Sequence, residues 1–293
     1  MNQLDAFSTR QTIIRKVNGF TSSTFPDMLS VEEPLEIRIH YGTGAARIQK
    51  RIAVTMRTPG CDADLALGFL FTEGIITSAG QVTAIYHADM ECASQKENII
   101  QVEMAEAFMP NLMQADRNFY TTSSCGVCGK GSIESIRTVS PFQHLRKPPL
   151  ELDAGVLYTL PEKLRAAQSG FSATGGIHAS GLFTPDGTLL LLKEDVGRHN
   201  ALDKLIGSAL NKQLLPLDQH ILLLSGRASF ELIQKAAMAG ISVIAAIGAP
   251  SSLAVELATA FDITLFGFLK QGRFNIYHLS HHISIPALYE DQN

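Results

Sequence analysis

The sequence lacks an excess of positive charge. Its 293 residues include 24 Lys and Arg against 28 Asp and Glu, which gives a formal charge of −4 at pH 7. A protein that coats nucleic acid needs a basic surface to replace the counterions of the phosphate backbone, so the composition disfavours a nucleic-acid partner. Any anionic ligand must instead meet cations that the fold gathers in one place.

The sequence also lacks the apolar runs that direct a protein into a membrane. Residues 1–20 contain no apolar segment after a basic start, which a secretory signal requires. Residues 236–255 carry no charge, but Gly240, Gly248 and Pro250 divide them, as in a buried strand flanked by helices rather than in a membrane span. We therefore expect a cytoplasmic protein that makes no membrane contact.

Cysteine is scarce, with four residues at positions 61, 92, 125 and 128. Disulfides are not expected to hold a cytoplasmic chain together, because thiols are kept reduced in that compartment. Hydrophobic residues make up 45% and charged residues 18% of the chain, as in globular proteins, so a mainly disordered state is excluded. For Cys61 and Cys92 we predict buried apolar packing.

Cys125 and Cys128 form a C-x-x-C pair that could be half of a zinc site, a dithiol redox centre or a structural feature. Glycines at 126, 129 and 131 let the backbone approach a ligand, and Lys130 favours the nucleophilic thiolate. For zinc, Cys61 and Cys92 lie too far apart to form a second pair, and His144 has no nearby histidine. A zinc deaminase needs H-x-E, whereas this chain reads His-Ala-Ser at 178–180. A reactive cysteine is therefore the favoured interpretation.

The two halves of the chain differ in their hydrophobic pattern. In the first half Asp62 is expected to cap a helix that ends at about Gly74, and a linker is expected over 105–118. In the second half Pro161 is placed at the first position of a helix. The remaining predictions are strands around 35–39, 52–56, 82–87, 98–104, 177–183, 188–193, 221–224, 241–247 and 263–268, and helices over 200–210, 230–239 and 253–260. Apolar strands that alternate with helices are covered on both faces, which predicts a three-layer α/β domain.

Cationic side chains follow several strands of this predicted sheet. Arg198 follows the strand over 188–193, Arg227 follows 221–224, and Lys270 and Arg273 follow 263–268. Asp203 and Lys204 are expected on a solvated helix face. Because strand ends of one sheet can share an edge, the four cations could meet phosphate groups together.

Several motifs resemble those of the formate dehydrogenase accessory sulfurtransferases, the FdhD family. They are SCGVCG at 124–129, TGGIHAS at 174–180, EDVGRHNALDKLIG at 194–207, GRASFELIQKAAMAG at 226–240, APSSLAVELA at 249–258 and FLKQGR at 268–273. The resemblance implies an α/β fold in which a three-layer cytidine-deaminase-like domain over 116–293 follows a smaller N-terminal α+β domain over 1–115. It also implies a homodimer. Ser123-Ser124 and Ser225-Gly226 depart from the family pattern, which affects single hydrogen bonds.

The same resemblance implies a sulfur carrier that is needed for formate dehydrogenase activity. Cys125 would accept persulfide sulfur from a cysteine desulfurase, with Cys128 in support, and pass it to the molybdenum of the bis(guanylyl molybdopterin) cofactor before insertion into the formate dehydrogenase apoenzyme. That cofactor is a bound substrate, and no permanently bound metal is expected. The cofactor-binding residues would be Phe268, Leu269, Lys270, Gln271, Gly272, Arg273, Arg198, Arg227, Glu194, Asp195 and His178.

Two other functions remain open at this point. A non-catalytic chaperone could bind the molybdenum cofactor without using thiol chemistry, and a zinc enzyme could use the C-x-x-C pair as ligands. Loss of both cysteines separates the first from a sulfur carrier, and metal analysis separates the second.

Overall fold

A computed structural model describes residues 8–88, 98–112, 140–142 and 144–286. Over these residues the chain is a mixed α/β protein with a six-stranded sheet, a four-stranded sheet and two sheets of two strands. The strands are β1 Thr9–Asn18, β2 Thr21–Ser30, β3 Glu33–Tyr41, β4 Ile48–Arg57, β5 Val82–His87, β6 Ile99–Met104, β7 Leu150–Glu151, β8 His178–Phe183, β9 Leu189–Asp195, β10 Ile221–Leu224, β11 Val243–Ala246, β12 Thr264–Lys270, β13 Arg273–His278 and β14 Ile283–Ser284. The helices are α1 Asp62–Thr72, α2 Ala154–Ala167, α3 Ser169–Thr174, α4 Arg198–Asn211, α5 Phe230–Met238 and α6 Ser252–Ala260.

The six-stranded sheet has the order β13-β12-β11-β10-β8-β9. Strands β10, β11 and β12 are parallel, whereas β8 is antiparallel to both β10 and β9. Strand β9 therefore runs in the same direction as β10. The carboxyl ends of β9, β10, β11 and β12 lie at one edge of the sheet, which we call the carboxyl edge.

Both faces of this sheet are covered by apolar side chains. On one face α4, α5 and α6 contribute Leu205, Ile233 and Leu257 to a large core. On the other face α2 contributes Leu157 and Leu160 to a second core, which they share with residues of β8, β10, β11 and β12. This burial explains why the strands of the second half are nearly continuous apolar runs, as predicted. The likeness to cytidine deaminases and the domain boundary at 115 stay predictions.

The large core extends into the four-stranded sheet β4-β3-β6-β5 through helix α1. Helices α1 and α4 cross at Gly68 and Gly207, where their backbones touch. A Cβ atom added to Gly68 would lie 1.9 Å from the carbonyl oxygen of Asp203, and one added to Gly207 would lie 1.9 Å from that of Asp64. Only glycine fits at both positions, so this crossing joins the first half of the chain closely to the second.

Two local predictions were wrong, and one pair of strands was not predicted. Pro161 lies inside α2 rather than at its start, because the helix begins earlier, where the Asp153 carboxylate accepts from the amide of Gly155 at 2.6 Å. Asp62 is the first helical residue of α1 and not its cap, and its carboxylate binds Arg57. The hairpin of β1 and β2 was missed because most of its side chains are exposed, so no amphipathic pattern marks it.

Candidate functional site

Cys125 and Cys128 lie outside the described residues, as does Cys92. The structure describes all the other residues assigned to the predicted site, and most of them lie within strands of the six-stranded sheet.

The sheet order brings the four predicted cations to the carboxyl edge. Arg198 is the first residue of α4, three positions after the end of β9, and Arg227 lies in the loop after β10. Lys270 ends β12, and Arg273 begins β13 directly opposite it in the register of the hairpin. These elements place three separate cationic positions along one edge, where open α/β sheets commonly bind ligands.

Backbone hydrogen bonds connect the loops at this edge. The amide of Gly248, after β11, donates to the carbonyl oxygen of Gly226, after β10, at 3.0 Å. The amide of Phe268 donates to the Gly248 carbonyl oxygen at 3.1 Å. A Cβ atom at 248 would lie 3.0 Å from the amide nitrogen of Arg227, so glycine is what allows the two loops to touch. The loop that carries Arg227 is thereby fixed relative to β12.

The 268–273 segment combines buried and exposed positions. Leu269 is fully buried in the core, whereas Lys270, Gln271, Gly272 and Arg273 are exposed in the turn. Phe268 has a positive φ of 54° and is 40% exposed, so an aromatic ring is presented beside the cations. The turn can therefore offer two charges and a ring to a ligand.

His178 and Arg198 lie together beside the loop after β10. His178 begins β8 opposite Asp195 in β9, and a Cβ atom at Gly226 would lie 3.3 Å from its Nδ1. Burial and the Arg198 guanidinium lower the pKa of His178, whereas Asp195 opposes the shift. The imidazole is therefore neutral near pH 7. The Nε of Arg198 is buried and has no hydrogen-bond partner among the described residues.

The two acids among the predicted cofactor-binding residues already have protein partners. Asp195 is fully buried, and its carboxylate accepts from Lys204 Nζ at 2.7 Å and from the Thr58 amide at 3.1 Å. Burial raises its pKa, and Lys204 opposes this. Glu194 is half-buried, and its two oxygens accept from the amides of Gly170 and Phe171 at 2.8 and 2.9 Å, at the start of α3.

The prediction of a solvated helix face for Asp203 and Lys204 was wrong. Both are buried, with exposed fractions of 1% and 2%. Asp203 binds Lys235 of α5 at 2.9 Å and accepts from the Thr72 hydroxyl of α1 at 2.8 Å. The burial of this pair could have been predicted from the apolar residues on either side of it in the sequence. These residues belong to a helix, α4, that is buried on nearly all sides.

Cys61 is exposed, so the prediction of buried packing was wrong for this residue. It precedes α1 with a φ of 55°, and Lys193 Nζ lies 3.2 Å from its Sγ and 2.6 Å from the Asp64 carboxylate. A cavity beside β9 is lined by Cys61, Gly170, Lys193, Glu194 and Lys204, among other residues. Sequence reasoning gave no signal for this contact, because Lys193 is distant in the chain.

Among the described helices, none is both long and apolar enough to cross a membrane.

Comparisons with known proteins identify a matching family. The model of the FdhD/NarQ family matches residues 30–284. A Streptomyces avermitilis protein named Sulfur carrier protein FdhD is 47% identical over 95% of this chain and 96% of its own length. Proteins of the same name from Mycolicibacterium paratuberculosis and Sulfolobus acidocaldarius are 52% and 40% identical, over 86% and 92% of this chain and 90% and 96% of their own lengths.

A solved structure shares the fold. It is a Desulfotalea psychrophila protein that carries the provisional description of formate dehydrogenase accessory protein. The TM-score is 0.69 at 22% identity, and the match covers 94% of this chain and 99% of that protein. Given the family match over most of its length, the chain described here belongs to the FdhD/NarQ family.

Proposed function

We propose that this protein is a sulfur carrier that matures formate dehydrogenase. Cys125 accepts sulfane sulfur from a cysteine desulfurase, and the sulfur then passes to the molybdenum of bis(guanylyl molybdopterin) before the cofactor enters the apoenzyme. The printed name of relatives at 40–52% identity, Sulfur carrier protein FdhD, supports the sulfur-carrying role. The observation that carries the cofactor part is the set of cations at the carboxyl edge.

The substrate explains why such an edge is useful. The cofactor has two guanine nucleotides joined through pyrophosphates, so a protein that binds it needs several separate positive charges. Arg198, Arg227 and Arg273 supply guanidinium groups, which match phosphate oxygens in a two-pronged geometry, and Lys270 supplies a compact charge. The Nε of Arg198 is buried and has no hydrogen-bond partner within the described part of the chain, which leaves it hydrogen-bonding capacity for such an oxygen.

Of the two acids among the predicted cofactor-binding residues, Glu194 is the better placed to receive a guanine base. It lines a cavity, and each of its oxygens keeps a lone pair beyond the one used by α3, whereas Asp195 is enclosed by its protein partners. Guanine offers N–H donors that such a carboxylate accepts.

Sulfur loading is an exchange of thiolates. The Cys125 thiolate attacks the outer sulfur of the desulfurase persulfide, the S–S bond of the donor breaks, and the donor cysteine leaves as a thiolate. The Cys128 thiolate can then attack the inner sulfur of the Cys125 persulfide. This forms a Cys125–Cys128 disulfide and releases hydrosulfide to the metal, and a low-molecular-weight thiol reduces the disulfide afterwards.

Sulfur loading is tested with a radioactive sulfur label. We expect Cys125→Ser to lose labelling by the desulfurase and to retain GDP binding. Cys61→Ser is a matched control, because Cys61 is an exposed thiol beside a lysine and has no place in the transfer. Undiminished labelling of Cys125→Ser, or loss of labelling in Cys61→Ser alone, contradicts the assignment.

Nucleotide binding is tested by calorimetry with GDP. The double variant Lys270→Ala, Arg273→Ala should bind at least tenfold more weakly, because two charge-assisted contacts of more than about 1.4 kcal/mol in total are removed. Arg51→Ala is the control, since Arg51 is 71% exposed on β4 of the other sheet. Equal affinity of the double variant and the control rejects a nucleotide contact at this turn.

The proposal includes a homodimer, because a ligand with two equivalent nucleotide arms suits a two-fold axis that presents the same pocket twice. Light scattering of the purified protein measures its mass in solution, and a monomer in the presence of GDP excludes the dimer.

A further inference from the structure

Four ionisable side chains meet at the edge of the six-stranded sheet opposite the carboxyl edge. Asp262 follows α6 and precedes β12, His278 ends β13, and His281 and His282 precede β14. Because β12 and β13 are antiparallel, the start of one and the end of the other lie side by side. The group therefore lies at the base of the hairpin whose tip is the 270–273 turn.

The distances within this group match those between ligands of one metal ion. Asp262 Oδ2 lies 3.2 Å from His281 Nδ1 and 3.5 Å from His282 Nδ1. One oxygen or nitrogen of each of these residues lies within 4.8 Å of the others. Two ligands of a tetrahedral zinc ion, each about 2.0–2.1 Å from the metal, are about 3.3 Å apart. A single ion can therefore contact all three side chains with small rotations.

A lysine lies beside this group and is held by the backbone. Lys147 Nζ donates to the carbonyl oxygens of Phe261 and Asp262 at 3.0 and 2.7 Å, so its hydrogen bonds are directed to the main chain.

We propose that Asp262, His281 and His282 bind one divalent cation of the zinc class. One carboxylate and two imidazoles are donors that zinc and cobalt accept, and three protein ligands leave a position for water. The exposed fractions of the side chains, 35% for Asp262, 87% for His281 and 4% for His282, place the open position toward solvent.

Two neighbours complete the arrangement. His278 Nε2 lies 3.6 Å from Asp262 Oδ1, outside the ligand set. Ser280 Oγ lies 2.5 Å from His282 Nδ1, and this hydroxyl rotates away when the ion takes the lone pair. The bound ion joins the residue before β12 to the segment after β13, so it closes the base of the hairpin that ends in Lys270 and Arg273. From the sequence no permanently bound metal is expected, because the cysteines, His144 and His178 offer no complete set of zinc ligands.

The test uses cobalt as a spectroscopic substitute for zinc in the full chain without an affinity tag. Cys125→Ser, Cys128→Ser is the parent, because the C-x-x-C thiolates would otherwise compete for the metal. We expect one Co²⁺ per chain, with the visible absorption of low-coordinate cobalt and no thiolate charge-transfer band. Zinc should displace it, and the melting temperature should rise on binding.

The variants then assign the ligands. His281→Ala should weaken cobalt binding at least tenfold, since loss of even an outer-shell partner commonly costs about 10–100-fold. His281 is exposed, so the variant keeps its fold, and its unchanged melting temperature without metal checks this. His144→Ala is the matched control, because His144 is an exposed histidine outside the cluster. Absence of cobalt binding in the parent, or equal affinities of His281→Ala, Asp262→Asn and the control, overturns the proposal.

Discussion

Replacement of Lys204 by methionine should destabilise the protein strongly. The ammonium is 2% exposed and lies 2.7 Å from the carboxylate of Asp195, which is fully buried. Lys204→Met keeps most of the side-chain volume but leaves a buried carboxylate without its counter-charge. Breaking a buried pair in this way costs about 3–5 kcal/mol of unfolding free energy.

The hydrogen bonds that Asp195 retains in the variant determine how large the loss of unfolding free energy is within this range. The carboxylate keeps the amides of Thr58 and Gly197, at 3.1 and 2.8 Å, after the lysine is removed. We therefore expect a loss near the lower limit, about 3 kcal/mol. At about 2–4 °C per kcal/mol, which applies to chains slightly shorter than this one, the melting temperature falls by about 6–12 °C.

Urea unfolding followed by circular dichroism measures the effect, and a second variant separates charge from packing. Asp195→Asn combined with Lys204→Met removes both charges, so it should recover at least half of the loss. A loss below about 1 kcal/mol for Lys204→Met, the range of exposed ion pairs, would refute the reasoning that this pair is buried and unscreened.

Three further predictions concern single positions. Gly207→Ala should lower the unfolding free energy by at least about 1–3 kcal/mol in urea titrations, because its Cβ meets the opposing backbone at 1.9 Å, whereas Gly80→Ala, with 3.9 Å of clearance, should change little. Glu194→Ala should cost about 1–2 kcal/mol, because two amides of α3 lose their acceptor, and hydrogen exchange of those amides should accelerate; unchanged exchange would contradict the contact.

The third uses pH. Burial, with the cations Lys235 and Arg198, lowers the pKa of His199 from 6.5 to about 4, so between these values the unfolded chain binds a proton that the folded protein does not. The stability that this histidine contributes is full above pH 6.5 and is lost as the pH falls toward 4, by up to about 3 kcal/mol. The unfolding free energy is measured by urea titration at several pH values for the wild type and for His199→Gln. Between pH 6.5 and 4 the wild type should lose this stability relative to the variant, and parallel pH profiles of the two proteins would contradict the prediction.

The sequence predicted the second half of the fold well because its strands are buried on both faces. Strands such as 221–224 are unbroken apolar runs that turns and helices delimit clearly, and their order brings the cations to one edge. The hairpin of β1 and β2 gave no such signal, since exposure on both faces leaves no hydrophobic period. The apolar spacing that leads from Leu157 through Leu160 continues past Pro161, so the helix tolerates the proline.

Much of the site depends on contacts between distant parts of the chain, which no local pattern shows. The burial of Asp203 follows from Lys235 and Thr72, which lie on two other helices. The environment of Cys61 depends on Lys193, 132 positions later. The metal ligands proposed at 262 and 281–282 come together only because β13 runs back antiparallel to β12.

The crossing of α1 and α4 has a consequence for how the proposed cofactor, which is large, can be admitted. Where two helix backbones touch through glycine, sliding or tilting by even a fraction of an ångström creates a steric clash or a void. If the two halves of the chain moved apart, the contact between α1 and α4 would break, and the apolar residues of the core that both halves share would be exposed. Entry of the proposed dinucleotide cofactor is therefore expected through rearrangement of surface loops, while the contact between α1 and α4 stays intact.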